Sequence, residues 1–132
     1  VPEFVRRSTT VRKDSKLQIA WGVVLEPKTA ANPDSQGDWY DAAEIEKAAH
    51  GFLAKIATGQ GGADYMHGED LIGVVVESYI TTTDGWLGDQ WVPEGSWVAG
   101  IHYPDPDVWD LVEKGELAAF SVGGSGTRIY GG

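Results

Sequence analysis

Ser121 stands between an apolar run, Leu117 to Phe120, and a glycine-rich tract, Gly123-Gly124-Ser125-Gly126. Read as a strand, Leu117 to Val122 turns Phe120 and Val122 toward a core and Ser121 to the opposite face with Ala119 and Leu117. A hydroxyl among small neighbours is open to a reactant. Gly123 and Gly124 let backbone N–H groups approach a carbonyl that is gaining negative charge, which is what an oxyanion site needs. The same position also suits a plain turn residue at a strand end, and residue type alone leaves both readings open.

A serine nucleophile needs a general base, and the base needs an orienting partner. Of the three histidines, His50 falls late on a predicted helix, and His102 alternates with Gly100 and Val98 as a satisfied sheet histidine would. His67 follows Met66 just before a long apolar strand, a place from which an imidazole can project into a cleft. Glu77 interrupts that strand, so it either sits on a solvated face or is held by a partner such as a histidine. His67, Glu69 and Asp70 could offer metal ligands, but one histidine with two acids lacks the paired-histidine spacing of zinc hydrolases, and no metal is expected. No cofactor is expected either. The Gly59-Gln60-Gly61-Gly62 tract has no following lysine and no preceding strand, so it is not a phosphate loop, and no dinucleotide fingerprint is present. The chain has no cysteine, which excludes thiolate chemistry and disulfides and fits a cytosolic protein.

The elements that would carry these groups are short. Residues 1–15 have little hydrophobic periodicity and read as an N-terminal arm or linker, extended or disordered, ahead of one domain over 16–132. Leu17 to Leu25 predicts a buried strand. Asp41 followed by Glu44 matches a capping box, and Ile45, Ala48, Ala49, Phe52 and Ile56 recur at helical spacing, predicting a helix over 42–57 ended by Gly59, Gly61 and Gly62. Leu71 to Thr82 predicts a strand with Val74, Val76, Ser78 and Ile80 on one face and Val75, Glu77 and Tyr79 on the other. Trp86 to Val92 and Ser96 to Tyr103 predict two more around the turn Pro93-Glu94-Gly95. Asp105, Pro106 and Gly115 bracket a helix over 106–114, and Leu117 to Val122 is a last strand. The pattern is α+β, a small β-barrel-like sheet with two principal helices.

Composition bounds the partners. A net charge of −10 argues against a nucleic-acid surface, since phosphate contacts need clustered Lys and Arg. The one basic cluster, Arg6, Arg7, Arg12 and Lys13, is either a solvated arm or a docking segment. No apolar run is long enough to span a bilayer, and Val1 to Lys16 is too polar and basic for a signal peptide.

Four stretches in order resemble the XkdF-like branch of phage prohead serine proteases, whose fold is related to herpesvirus assemblin. They are Gln36-Gly37-Asp38 with Glu44 to Ala49 and Phe52; Met66-His67 leading into Val75 to Ile80; Gly95 to Gly100; and Asp105 to Trp109 running through Lys114-Gly115-Glu116 to Phe120-Ser121-Val122-Gly123-Gly124. The likeness covers roughly residues 17–125 in the family's order. The resemblance implies a serine endopeptidase with Ser121 as nucleophile and His67 as general base. Herpesvirus relatives use a second histidine as third member, for which His102 is the counterpart; phage members use an acid, for which Glu77 is the choice. It further implies cleavage of phage scaffold and major capsid proteins, and of the protease itself, inside the assembling prohead in the host cytoplasm. A homo-oligomer is one state the resemblance leaves open. The arm has no counterpart in the family pattern. The alternative is an inactive structural or scaffold-associated domain that keeps the protease fold.

Overall fold

A computed structural model describes residues 6–7, 9–34, 37–58, 73–116 and 121–122, with the backbone alone for residues 6, 7, 9, 121 and 122. In chain order these form β1 (Arg6–Arg7), β2 (Thr9–Asp14), β3 (Ile19–Leu25), α1 (Ala42–Ala57), β4 (Val74–Ile80), β5 (Gly85–Leu87), β6 (Gln90–Val92), β7 (Trp97–His102), α2 (Pro106–Glu113) and β8 (Ser121–Val122). A four-stranded sheet runs β2-β3-β7-β4, antiparallel at every step. The α+β class and the two helices stand. The barrel-like closure does not: among the described residues the sheet stays open, because its edges β2 and β4 lie three strand spacings apart, about 14 Å.

The segment read as an arm contributes β1 and β2. Val11 is buried while its neighbours Arg12 and Lys13 are exposed, so β2 is an edge strand whose charges make it look like solvated chain. Lys13 Nζ donates to the Glu113 carbonyl at 3.0 Å and Ser15 Oγ donates to the Glu113 carboxylate, tying the end of β2 to the end of α2.

The two faces of the sheet bury different clusters. Ala20, Val24, Trp97, Ala99 and Ile101 meet Ile45, Ala49 and Phe52 of α1 and Trp109 and Val112 of α2. On the other face Val11, Trp21, Val23 and Val98 pack with Val92 of β6 and Leu87 of β5. Each helix begins where its capping signal stands. The Glu44 N–H donates to Asp41 Oδ1 at 2.8 Å and the Asp41 N–H to Glu44 Oε1 at 3.0 Å, so two otherwise orphaned donors are satisfied reciprocally. For α2, Asp105 Oδ1 accepts from the Asp107 N–H at 2.9 Å, Pro106 opens the first turn, and Gly115 takes φ +76° just past the end.

Trp86 to Val92 is a hairpin, β5 and β6, rather than one strand. Gly88 adopts φ +65° and turns the chain, and this turn sits on β2: a Cβ at Gly88 would lie 1.9 Å from the Val11 carbonyl oxygen. Gly88→Ala should therefore cost roughly 2 kcal/mol or more, from the left-handed conformation plus a forced shift against backbone. Gly37→Ala, at φ +81° with nothing within 4 Å, should cost only the conformational part, about 1 kcal/mol. Urea unfolding of the two variants checks the difference; equal losses would mean the hairpin is not seated on β2.

Tyr103 is fully buried beside Trp109, ring centroids 6.2 Å apart, and burial pushes its phenol up to about 12 from an ordinary 10.0. The folded state thus holds this proton more tightly than the unfolded chain. The contribution is fully present below about pH 10 and is lost as pH rises toward 12, amounting to roughly 3 kcal/mol from the two-unit shift. In urea titrations Tyr103→Phe should show a shallower loss of stability than the parent protein between pH 10 and 12, the window set by this shift.

Candidate active site

Glu77 is placed by a row of direct strand partners that crosses the whole sheet. Arg12 on β2 faces Trp21 on β3, Trp21 faces Gly100 on β7, and Gly100 faces Glu77 on β4. The Trp21 indole, buried on one side by Val11, Val23 and Val98, reaches over Gly100, and its Nε1–H donates to Glu77 Oε1 at 2.9 Å. Gly100 makes this reach feasible. A Cβ there would lie 2.8 Å from Trp21 Nε1, 2.9 Å from Cδ1 and 3.4 Å from Glu77 Cβ. The Arg12 guanidinium lies 4.0 Å from the centre of the Trp21 ring, a cation–π contact that covers the indole from the β2 side. The Tyr79 phenol is pushed up by burial first and then by the negative charge of Glu77, against a lowering by Arg12. The carboxylate is thus a charge felt along this face.

A bulge sets the direction of Glu77. Val75 pairs with Ile101 and Glu77 with Gly100, so Val76 is an extra residue in β4. The strict alternation predicted for this strand is broken there. Val75, Ser78 and Ile80 are half-buried on the helix side, while Val74, Val76, Glu77 and Tyr79 are exposed. Trp97 Nε1–H donates to Ser78 Oγ at 3.1 Å from that helix side. Two indoles, one on each face of the sheet, therefore hold consecutive residues of β4. Beside them an open groove of about 410 Å³ is lined by Leu53, Val75, Val76, Glu77, Ser78 and Tyr79.

Ser121 lies on β8, which pairs antiparallel with β1, Ser121 opposite Arg7 and Val122 opposite Arg6. The backbone that carries the candidate nucleophile is thus paired to the segment that leads into β2. The Ser121 side chain, His67, Glu69, Asp70 and the glycines after Val122 lie outside the described residues, as does the rest of the predicted last strand. His102 closes β7 on the same face as Gly100, opposite Val74 and Ile19, and its Nδ1 is 3.0 Å from the Leu17 carbonyl oxygen, which makes that nitrogen the donor. His50 is exposed on α1. Among the described residues no group of three or more histidine and acidic side chains could hold a metal ion, and no helix is long and apolar enough to cross a membrane. Sequence reasoning missed Trp21, Gly100 and Arg12, because their relation to Glu77 exists only through strand order.

Residues 7–130 match the family described as "Putative phage serine protease XkdF". The chain is similar to the phage-like element PBSX protein XkdF of Bacillus subtilis (strain 168), 38% identical over 127 residues, covering 94% of this chain and 43% of that protein. It is also similar to the uncharacterized protein YqbD of the same strain, 35% identical over 129 residues, covering 97% of this chain and 38% of that protein. The chain therefore spans about two-fifths of the length of these relatives. No solved structure matches. A match that runs from β1 past β8, and so includes positions 67, 77 and 121, is to the family as a whole and not to one motif: the chain belongs to this XkdF family of phage proteins.

Proposed function

We propose that this chain is the peptidase unit of a phage maturation endopeptidase with a fold related to assemblin and an acid, Glu77, as the third member of its reactive set. The observation that carries the proposal is the family match across residues 7–130, which contains the whole reactive set. Ser121 Oγ attacks the peptide carbonyl carbon as His67 takes the hydroxyl proton. The resulting oxyanion is stabilised by N–H groups of the following glycine segment. Collapse breaks the C–N bond, and His67 returns its proton to the leaving amine. Water then repeats the sequence on the acyl-enzyme and releases the acid. Glu77 accepts a hydrogen bond from a ring nitrogen of His67 and fixes its tautomer. Support for this last role is that the bulge turns Glu77 outward and that Trp21 engages only Oε1 among the described residues, leaving the second oxygen for another donor.

The substrates in this reading are phage scaffold and major capsid proteins, and the protease itself, within the assembling prohead. Co-expression with those proteins of its own phage, followed by intact-mass analysis, tests the reading. Defined cleavage products that vanish with Ser121→Ala are expected. Intact partners that nevertheless co-purify with the chain would point to a structural domain keeping the fold.

The third member has its own test. Glu77→Gln should slow cleavage by about 100-fold or more, from loss of the charge that stabilises the imidazolium, with the fold retained. His102→Ala should leave the reaction running, because its ring is anchored to the Leu17 carbonyl. A fully active Glu77→Gln with a dead His102→Ala would instead establish a His-Ser-His arrangement.

A further inference from the structure

We propose that the outer face of the β5–β6 hairpin is a docking site for a basic polypeptide segment, one that alternates apolar side chains with arginine or lysine. The site stands apart from the reactive set and needs none of its members.

The two faces of the hairpin have different fates. Leu87 and Val92 pack with Val11, Trp21, Val23 and Val98, and so seat the hairpin on the sheet. Trp86 and Trp91, one residue out of phase, are direct partners on the opposite face. They are 68% and 52% exposed, and among the described residues no other large apolar side chain is as exposed as Trp86. Their rings meet edge to face, 5.5 Å between centroids and 78° between planes. That contact covers one edge and one face; the remaining ring surface meets water. Beside Trp86 runs an open groove of about 280 Å³, lined also by Tyr79, Thr82, Thr83 and Leu87, with room for an apolar side chain next to the indole.

Charge selects the occupant. Exposed Asp84 and Glu94 stand at the open end of the hairpin and exposed Asp89 in its turn, so acidic residues bracket the indoles at both ends. The chain has no lysine or arginine from residue 56 to residue 113. On β2, against which the hairpin turn sits, Arg12 is engaged over the Trp21 ring and Lys13 on the Glu113 carbonyl. An indole face flanked by carboxylates attracts a guanidinium or ammonium twice, through the ring quadrupole and through charge. The same acids repel phosphate, which sets nucleic acid and anionic lipid aside. A second copy brings its own net charge of −10, so like charge opposes self-docking. What remains is a cationic polypeptide, and exposed aromatic anchors inside a polar rim are the make-up of a protein-docking hot spot.

The test uses a fluorescein-labelled synthetic peptide of alternating leucine and arginine, titrated by anisotropy against the Ser121→Ala protein so that cleavage plays no part. The Nε1–H resonances of Trp86 and Trp91 should shift as peptide is added. Trp86→Ala should weaken binding by about 10-fold or more, as loss of an anchor does. Citrulline in place of arginine, which keeps the shape and removes the charge, should weaken it by a similar factor of about 10. Asp89→Asn with Glu94→Gln should cost about 5-fold, an effect that fades with added salt. Asp84 is left in place because it accepts the Glu94 N–H at 2.7 Å. Glu46→Gln with Glu116→Gln removes the same charge from exposed positions outside the hairpin and should leave binding within about 2-fold, since a distant exposed charge is screened. Four results would overturn the proposal: indole resonances of Trp86 and Trp91 indifferent to the peptide, full binding by Trp86→Ala, equal binding of the citrulline peptide, or equal losses from the two pairs of acid replacements. A dimer in sedimentation that Trp86→Ala converts to monomer would overturn it in favour of a second copy as the occupant.

Discussion

Ser121→Ala is expected to lower processing of the phage scaffold and capsid proteins by roughly 10³-fold or more, and His67→Ala by a similar factor. The double variant should be little worse than either, because a nucleophile and its base act as one unit: an unactivated hydroxyl is a poor nucleophile, and a base without it has no proton to take. The fold should be indifferent to both changes. Activity should rise with pH as His67 loses its proton, since a protonated imidazole cannot serve as a base. A metal chelator should have no effect.

Trp97→Ala should have the opposite profile, weakening the fold severely and lowering activity only through that loss. Trp97 is 0% exposed, packs against Phe52 at 5.5 Å between ring centroids, and stands in register with Leu25 on one side and Ile80 on the other. Deleting such a ring costs about 3–5 kcal/mol, a large share of the roughly 5–15 kcal/mol that holds a domain of this kind together. Trp97→Phe keeps most of the packing and loses the bond to Ser78 Oγ at 3.1 Å, so a loss of about 1–2 kcal/mol is expected. Urea unfolding measures both. If Trp97→Ala unfolds at the parent's midpoint, the cluster between the sheet and α1 is not what stabilises the protein.

Where a signal is local, the sequence is readable to the residue. The capping box at Asp41 and Glu44 and the helical spacing from Ile45 to Ile56 place α1 at its observed bounds, since both ends of the argument lie within one stretch of chain. Asp105, Pro106 and Gly115 likewise place the start of α2 at Pro106, and its end one residue beyond the observed Glu113. The hairpin of β5 and β6 went unread because Trp86, Leu87, Gln90, Trp91 and Val92 look like one strand unless Gly88-Asp89 is given its weight as a turn. The bulge at Val76 left no trace, because three consecutive valines fit either phase of an alternation. β2 looked like an arm because edge strands carry charge for the same reason that arms do: both meet water.

The candidate site divides along the same line. Ser121, His67 and Glu77 could be named from residue type and from family resemblance, since each is marked by its own neighbours. Trp21 and Gly100 could not, because neither has a chemical meaning until the order β2-β3-β7-β4 places them in one row with Glu77.

The most direct test of the account is covalent labelling of the wild-type protein with a fluorophosphonate, followed by peptide mapping of the adduct. The account predicts one phosphonylated residue, Ser121, modified faster as pH rises and not at all in His67→Ala. A protein that remains unlabelled while folded, or that carries the label on a different serine, would contradict it.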